Sequence, residues 1–207
     1  MANKNPKLRL KLGYSIITNL IEEHSSVLDL GCGNGNLLKK LICEKKVKGF
    51  GVEISQDKVI SSLQKGLSII QADIDKGLNF SDGHFDWAIL NQTLQSCEKP
   101  DFVIKEMLRV GKKAVISFPN FAYWKVRFYL FFKGKMPKSK KLPFEWFDTP
   151  NIHLLTIIDF YEFCKKNDIK ILKTIFISKE KEQKNIFFKF FANFLTEEVL
   201  FVISKSS

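Results

Sequence analysis

Val27-Leu28-Asp29-Leu30-Gly31-Cys32-Gly33-Asn34-Gly35-Asn36 runs from an apolar stretch through an aspartate and alternate glycines into the helix-prone Leu37-Leu38-Lys39-Lys40-Leu41. That order reads as strand, tight turn, helix. Glycines lack a Cβ, so the turn can take positive φ and let a ligand lie against the backbone. The helix after it offers unpaired N–H groups and the positive end of its dipole to an anionic group. A second acid, Glu53, closes the next apolar run, Gly49 to Val52, roughly twenty residues after the glycines. A carboxylate at that distance can accept hydrogen bonds from both hydroxyls of a ribose. The pattern is that of a nucleoside site at the carboxyl ends of parallel strands.

Gly31, Gly33 and Gly35 spell G-x-G-x-G, with the third glycine one residue earlier than in the dinucleotide pattern G-x-G-x-x-G. With Asp29 ahead of them, they resemble motif I of class I S-adenosylmethionine-dependent methyltransferases. The resemblance implies an α/β fold, a Rossmann-like doubly wound sheet of seven strands with the last one antiparallel. It implies S-adenosylmethionine or S-adenosylhomocysteine as the cofactor, with Gly31 and Gly33 under its methionine part and Glu53 on the ribose. Asp73 and Ile74, after the third strand, would meet the adenine. Asp29, Cys32, Asn34, Gly35, Ile54 and Asn91 complete the implied cofactor set, Cys32 as a small side chain that fits the turn. The alternative, a glycine turn that binds nothing, leaves the placement of Asp29 and Glu53 to chance.

The chain of 207 residues suits one domain with a single substantial core. Its 45% hydrophobic and 27% charged residues are those of a soluble globular protein. No apolar run approaches the roughly twenty residues of a membrane span. Met1 to Lys7 is followed by a segment interrupted by Lys and Arg, not by the apolar core of a signal peptide. Cys32, Cys43, Cys97 and Cys164 are scattered without a C-x-x-C pair, which argues against a zinc site or a disulfide framework. Reduced thiols in a cytoplasmic protein are the expectation. The net charge of +11 is compatible with nucleic acid, an acidic partner or anionic lipid. A Lys-rich surface with no specific task explains it equally simply and is the favoured reading.

Leu8, Leu12, Ile16, Ile17, Leu20 and Ile21 recur at helical spacing and predict a covering helix over 8–23. On it Arg9 and Tyr14 either face the region of a cofactor carboxylate or are plain surface positions, two readings that explain them equally well. A second strand is expected over Val47–Val52. Ser55 is the expected cap of a helix ending at Gly66. The third strand, Leu67–Asp73, again closes on an acid. Ser81-Asp82-Gly83-His84 turns into a fourth strand, Phe85–Asn91, followed by a helix from Pro100 to Val110 and a fifth strand, Lys113–Phe118. Thr156-Ile157-Ile158-Asp159 has capping-box form, and Trp87 and the stripe Ile157, Ile158, Phe160 are assigned to the core. Ile169–Ser178 and Val199–Ser204 are the last strands, with a Phe-rich segment, Ile186–Leu195, between them. The whole reads as a single domain, 1–207, with no internal repeat.

An insertion at about 119–150 breaks the pattern. It interleaves Phe121, Tyr123, Trp124, Phe128, Tyr129, Phe131, Phe132, Phe144, Trp146 and Phe147 with Lys125, Arg127, Lys133, Lys135, Lys138, Lys140 and Lys141. Such a segment can stack on single-stranded nucleic acid, lie on an anionic membrane, or form a lid or protein-docking face. Alternatively, the aromatics pack back on the sheet while the lysines stay solvated.

Ile89-Leu90-Asn91-Gln92-Thr93-Leu94-Gln95, Glu106 to Gly111, Ser117 to Phe121 and Trp124 to Arg127 resemble the MetW family of methionine biosynthesis proteins. So do Gly134-Lys135-Met136-Pro137 and the run from Leu142-Pro143 through Trp146 to Asp148-Thr149-Pro150-Asn151-Ile152-His153. The resemblance covers about residues 8–178, and its last two blocks are not general methyltransferase motifs. It implies a protein tied to methionine synthesis, acting beside a homoserine O-acyltransferase.

Two functions follow. The favoured one is an auxiliary partner of that acyltransferase which senses S-adenosylmethionine, with the insertion as docking surface. The other is a methyltransferase acting on a small molecule, since methyl transfer relies on proximity and alignment more than on a base. Asn91-Gln92-Thr93-Leu94 lacks the prolines and the aromatic with which many amine methylators grip a planar nitrogen, which argues against nucleobase or amide acceptors. His153 and Asp148 are the remaining polar candidates for chemistry, with His153 favoured as a structural hydrogen-bonder. Nucleic-acid binding ranks third.

Overall fold

In the computed structural model the described residues are 6–138, 142, 144–179, 181–183 and 191–206, with side chains described from residue 12 onward. The Arg9 side chain, Lys140, Lys141, Pro143 and residues 186–190 of the Phe-rich segment lie outside what is described. The elements run α1 (Pro6–Leu20), β1 (Ser26–Leu30), α2 (Asn36–Lys45), β2 (Lys48–Glu53), α3 (Gln56–Leu63), β3 (Ile69–Gln71), β4 (Phe85–Asn91), α4 (Pro100–Val110) and β5 (Gly111–Pro119). Then come α5 (Trp124–Lys133), α6 (Ile157–Lys166), β6 (Ile169–Ser178), β7 (Lys181–Gln183), α7 (Ala192–Leu195) and β8 (Glu198–Lys205).

The strands form one mixed sheet in the order β3-β2-β1-β4-β5-β8-β6-β7. β1 pairs in parallel with both β2 and β4, and β8 runs antiparallel between β5 and β6. The central strands are apolar on both faces because both faces are covered. Val27, Trp87, Ile89 and Val115 pack under α1 and α2, while Leu28, Leu30, Ala88, Leu90 and Ile116 pack under α4 and α6. Strand order reverses between β1 and β4, which opens a crevice at their carboxyl ends, where ligands bind in folds of this type.

The differences from expectation are local and have physical causes. The sheet has eight strands, not seven, because the polar Lys181–Gln183 adds a short antiparallel edge to β6. β3 is shorter than expected, since the Asp73 carboxylate accepts from the Asp75 N–H (3.0 Å) and caps a 3-10 turn over Ile74–Lys76. α3 stops at Leu63 rather than Gly66, and Ser55 occupies its N-cap position without a side-chain hydrogen bond. The capping box of Thr156 and Asp159 forms as read, and Trp87 is buried with its indole N–H donated to Glu22. Ile157 and Phe160 are core, whereas Ile158 is exposed on the outer side of α6.

Candidate functional site

The crevice is built around two carboxylates. Asp29 lies inside β1, 2% exposed, and its Oδ2 has no hydrogen-bond partner among the described residues. Burial, and then the charge of neighbouring Glu53, push its carboxyl up to about 7. Burial and the same Asp29 charge raise the Tyr14 hydroxyl above its usual range, which puts α1 beside this floor.

Glu53 ends β2, 5% exposed. Its Oε2 accepts from the Gly33 N–H at 2.8 Å and its Oε1 from the Ser55 N–H at 3.0 Å, with Lys58 Nζ 3.8 Å away. A carboxylate offers about four lone-pair directions, so two remain for a ligand. One side chain thus fixes the glycine loop and keeps acceptors for hydroxyls.

Two glycines of the loop have distinct reasons to be glycine. Gly31 has φ +65°, and a Cβ there would lie 2.7 Å from Thr93 Cγ2 and 2.8 Å from Thr93 Oγ1, so close backbone approach to the β4 loop excludes a side chain. Gly33 has φ +57°, and a Cβ there would meet nothing within 4 Å, so its face is open. The loop therefore packs tightly on one side and leaves a bare peptide surface on the other. Gly35 precedes α2, whose first turn faces the same crevice.

The other expected cofactor residues divide. Asp73 sits beside Glu53, since the Ala72 N–H donates to the Glu53 carbonyl (3.1 Å), and it pairs with Lys76 at 3.5 Å. Asn91 ends β4 and accepts from the Ser117 hydroxyl at 2.7 Å. Cys32 turns inward against Leu38, Val59, Leu67 and Ile69, and burial pushes its thiol up to about 12. Ile54 and Asn34 are exposed, and the Asn34 carbonyl accepts from Lys65. Ile74 packs against the core under α4.

His153 and Asp148 do not join this group. The backbone N–H of His153 donates to the Gln95 carbonyl (3.0 Å), but its ring Nε2 is buried with no hydrogen-bond partner among the described residues. The side chain is thus not the structural hydrogen-bonder expected at that atom. The residue lines a cavity of about 340 Å³ with Leu94, Ile104, Phe160 and Phe163, between α4 and α6. Asp148 stands exposed in the turn after Glu145. With the Cys32, Cys97 and Cys164 thiols all at about 12, these cysteines stay protonated near neutrality and are poor nucleophiles. Among the described residues no group of three acidic, His or Cys side chains is arranged to hold a metal.

A polar cluster under the crevice escaped the sequence reading. Gln92, at φ +58°, donates through Nε2 to Glu198 Oε1 at 2.8 Å, and its N–H reaches the Ser117 hydroxyl at 3.1 Å. Gln95 Nε2 donates back to the Gln92 carbonyl at 2.9 Å. Glu198 arrives on β8, far along the chain, so no local pattern could reveal the pairing. The Glu106 to Gly111 block has a structural task. Arg109 clamps the segment before β4 by donating to Glu106, Asp82 and the carbonyls of Leu78 and Phe80.

Known proteins agree with this architecture. The model of the family described as methionine biosynthesis protein MetW matches residues 11–203. A bifunctional methionine biosynthesis protein MetXA/MetW of Rhodopirellula baltica is 36% identical over 187 residues, which are 86% of this chain but 30% of that protein. This chain thus spans less than a third of that relative's length. Protein MJ1123 of Methanocaldococcus jannaschii is 28% identical over 163 residues, 76% of this chain and 72% of the relative. Among solved structures, PH0226 of Pyrococcus horikoshii superimposes with a TM-score of 0.71 at 17% identity, covering 99% of this chain and 93% of that one. The putative methyltransferase solved with the Haloferax volcanii Trm112 activator gives 0.66 at 16% identity, covering 97% and 93%. These likenesses show the methyltransferase fold, and with the family model matching nearly its whole length, the chain belongs to the MetW family.

Proposed function

We propose that this protein binds S-adenosylmethionine, or its demethylated product, in the β1–β4 crevice and acts in methionine synthesis as an auxiliary, ligand-sensing partner of a homoserine O-acyltransferase. The observation that carries the ligand reading is Glu53. It is a nearly buried carboxylate with two acceptor directions unused, next to the open face of Gly33. The residues fit such a nucleoside. Glu53 would take the ribose hydroxyls, the bare Gly31–Gly33 peptides the methionine part, and Asp73 the adenine end. When bound, the cofactor supplies a transferable methyl group. The chain's own residues hold and orient it, and α2 turns its amino-terminal end to the crevice.

The partner reading is supported by the Rhodopirellula baltica relative, which joins MetXA and MetW in one polypeptide. A linked pair works at millimolar effective concentration, so fusion suits modules that touch. Ligand and partner binding would then be reciprocally coupled, typically by about 1–3 kcal/mol. The alternative, a methyltransferase with a small-molecule acceptor, uses the same crevice. It ranks second because the polar groups after β4 are engaged with one another, Asn91 with Ser117 and Gln92 with Glu198.

The test is titration calorimetry with S-adenosylmethionine on the intact protein and on Glu53→Ala. Loss of hydrogen bonds to a charged group weakens binding by about 1.5–3 kcal/mol, roughly ten- to a hundredfold. Equal affinity in the variant removes Glu53 from the site. No heat from the intact protein refutes the ligand reading.

A further inference from the structure

The insertion contributes little to the core of the domain. Among the described residues its base is packed: Tyr123, Val126 and Leu142 form a small buried cluster with Phe121 and Trp124 against it, and Arg127 and the edge of Phe128 reach Phe194. Beyond that base, every position from Phe128 to Phe132 on α5 is exposed, with Phe131 at 80% and Phe132 at 70%. At about 3.6 residues per turn these successive positions go all the way round the helix. Trp146 at 74% and Phe147 at 70% add a second exposed aromatic pair. A helix that is apolar on all sides is normally buried against something.

The rings are also arranged before any partner arrives. Phe128 and Phe132 stack with centroids 5.8 Å apart, Phe131 meets Phe132 edge-on at 5.0 Å, and Trp146 meets Phe147 edge-on at 5.6 Å. Aromatic anchors held in place give contact area at low entropic cost, the character of interface hot spots. α5 contains no acid, and Lys125, Lys133 and Lys135 flank its apolar turns. The complement is therefore an apolar groove with an acidic rim.

Both ends of the arm are tied to the ligand edge. It leaves β5 at Pro119, and it returns where the Ile152 and His153 N–H groups donate to the Gln95 carbonyl, just after β4 (2.8 and 3.0 Å).

We propose that α5, with the exposed Trp146 and Phe147 pair of the same arm, is the docking surface for the acyltransferase, its aromatic tip seated in an apolar, acid-rimmed groove of that enzyme. The assignment rests on the partner reading above. The fused relative, which carries MetXA beside MetW in one polypeptide, supports the choice of occupant, and the arm's charge and fixed rings describe the surface that the occupant must present. Because the arm stands on the loops after β4 and β5, the partner would feel whether the crevice is filled.

The experiment measures affinity of this protein for the purified homoserine O-acyltransferase of the same organism, by calorimetry or biolayer interferometry, for the natural chain, Phe131→Ala/Phe132→Ala and Lys133→Glu/Lys135→Glu. S-adenosylmethionine binding and the thermal midpoint serve as controls of fold. The aromatic double variant should bind the enzyme at least about thirtyfold more weakly, with both controls unchanged. The charge-reversed variant should lose about tenfold or more at low salt and less at high salt. Unchanged enzyme affinity in the aromatic variant overturns the assignment and leaves the partner reading intact. So does an aromatic variant that loses only binding to phosphatidylserine vesicles, which would make the arm a lipid anchor. If the natural chain does not bind the enzyme, the assignment and the partner reading fall together.

Discussion

Gly31→Ala and Gly33→Ala, two residues apart in one loop, should fail in opposite ways. Both positions have positive φ, so a methyl group costs about 1–2 kcal/mol at either one. At Gly31 the new Cβ would also lie 2.7 Å from Thr93 Cγ2 and 2.8 Å from Oγ1. Thr93 is branched at its own Cβ and donates to the Asn91 carbonyl at 3.2 Å, so it cannot simply swing aside. Overpacking of this kind adds about 1–3 kcal/mol, and the lost hydrogen bond about 1 more. Gly31→Ala should therefore lose about 3–6 kcal/mol, a large share of the stability of an ordinary domain. Gly33→Ala meets no atom within 4 Å and keeps the N–H bond to Glu53, so it should lose only about 1–2 kcal/mol. Its methyl group occupies the face offered to the ligand, and S-adenosylmethionine affinity should fall at least about thirtyfold. Urea denaturation followed by circular dichroism reads the first quantity, and calorimetry on the folded variant reads the second. Equal stability losses would refute the packing argument at Gly31. A folded Gly33→Ala that binds like the natural protein would refute the placement of the ligand.

Asp29 makes stability depend on pH in a definite direction. In the folded protein it holds its proton up to about 7, against 3.8 when unperturbed, so the folded state binds more protons between those values and stability falls as pH rises through that window. Asp29→Asn should flatten that fall, of order a few kcal/mol at most, in denaturation curves recorded from about pH 4 to 7, and an unchanged slope would refute the assignment. Asp86 acts in the opposite sense and in a separate range. Lys112 first, then the Ser26 N–H and hydroxyl, hold it at about 2, so its stabilisation is lost only as pH falls below its ordinary value of 3.8. Arg109→Lys cannot reproduce the fork that spans Glu106, Asp82 and two carbonyls. It should lower stability by about 1–3 kcal/mol while leaving S-adenosylmethionine affinity unchanged, and a loss of binding without a loss of stability would contradict its structural role.

Much of the fold was legible because its signals are local. β4 and α4 lie where the turn at Ser81–His84, the apolar run and the Pro100 and Gly111 punctuation put them. The glycine turn and the acid at the end of β2 announce themselves by spacing alone, and the structure adds that one carboxylate joins them. Where the reading slipped, a longer-range interaction intervened. β7 is too polar to read as a strand and exists because β6 offers it an edge. Ile158 satisfies helical spacing as an apolar residue but lies on the outer side of α6. His153, a candidate for chemistry by residue type, is drawn by the Gln95 carbonyl to a cavity between α4 and α6.

The sequence alone determined the alternation of strands and helices, the glycine turn and the two acids at neighbouring strand ends, since periodicity, turn residues and spacing act over a few residues at a time. Only the tertiary structure decided which polar groups meet. β8 enters between β5 and β6 and carries Glu198 to Gln92, Thr93 closes under Gly31, and the Asp29 Oδ2 is left without a partner among the described residues at the floor of the crevice. These contacts depend on the order in which distant strands pair and on how tightly loops pack across them. No run of neighbouring residues encodes either.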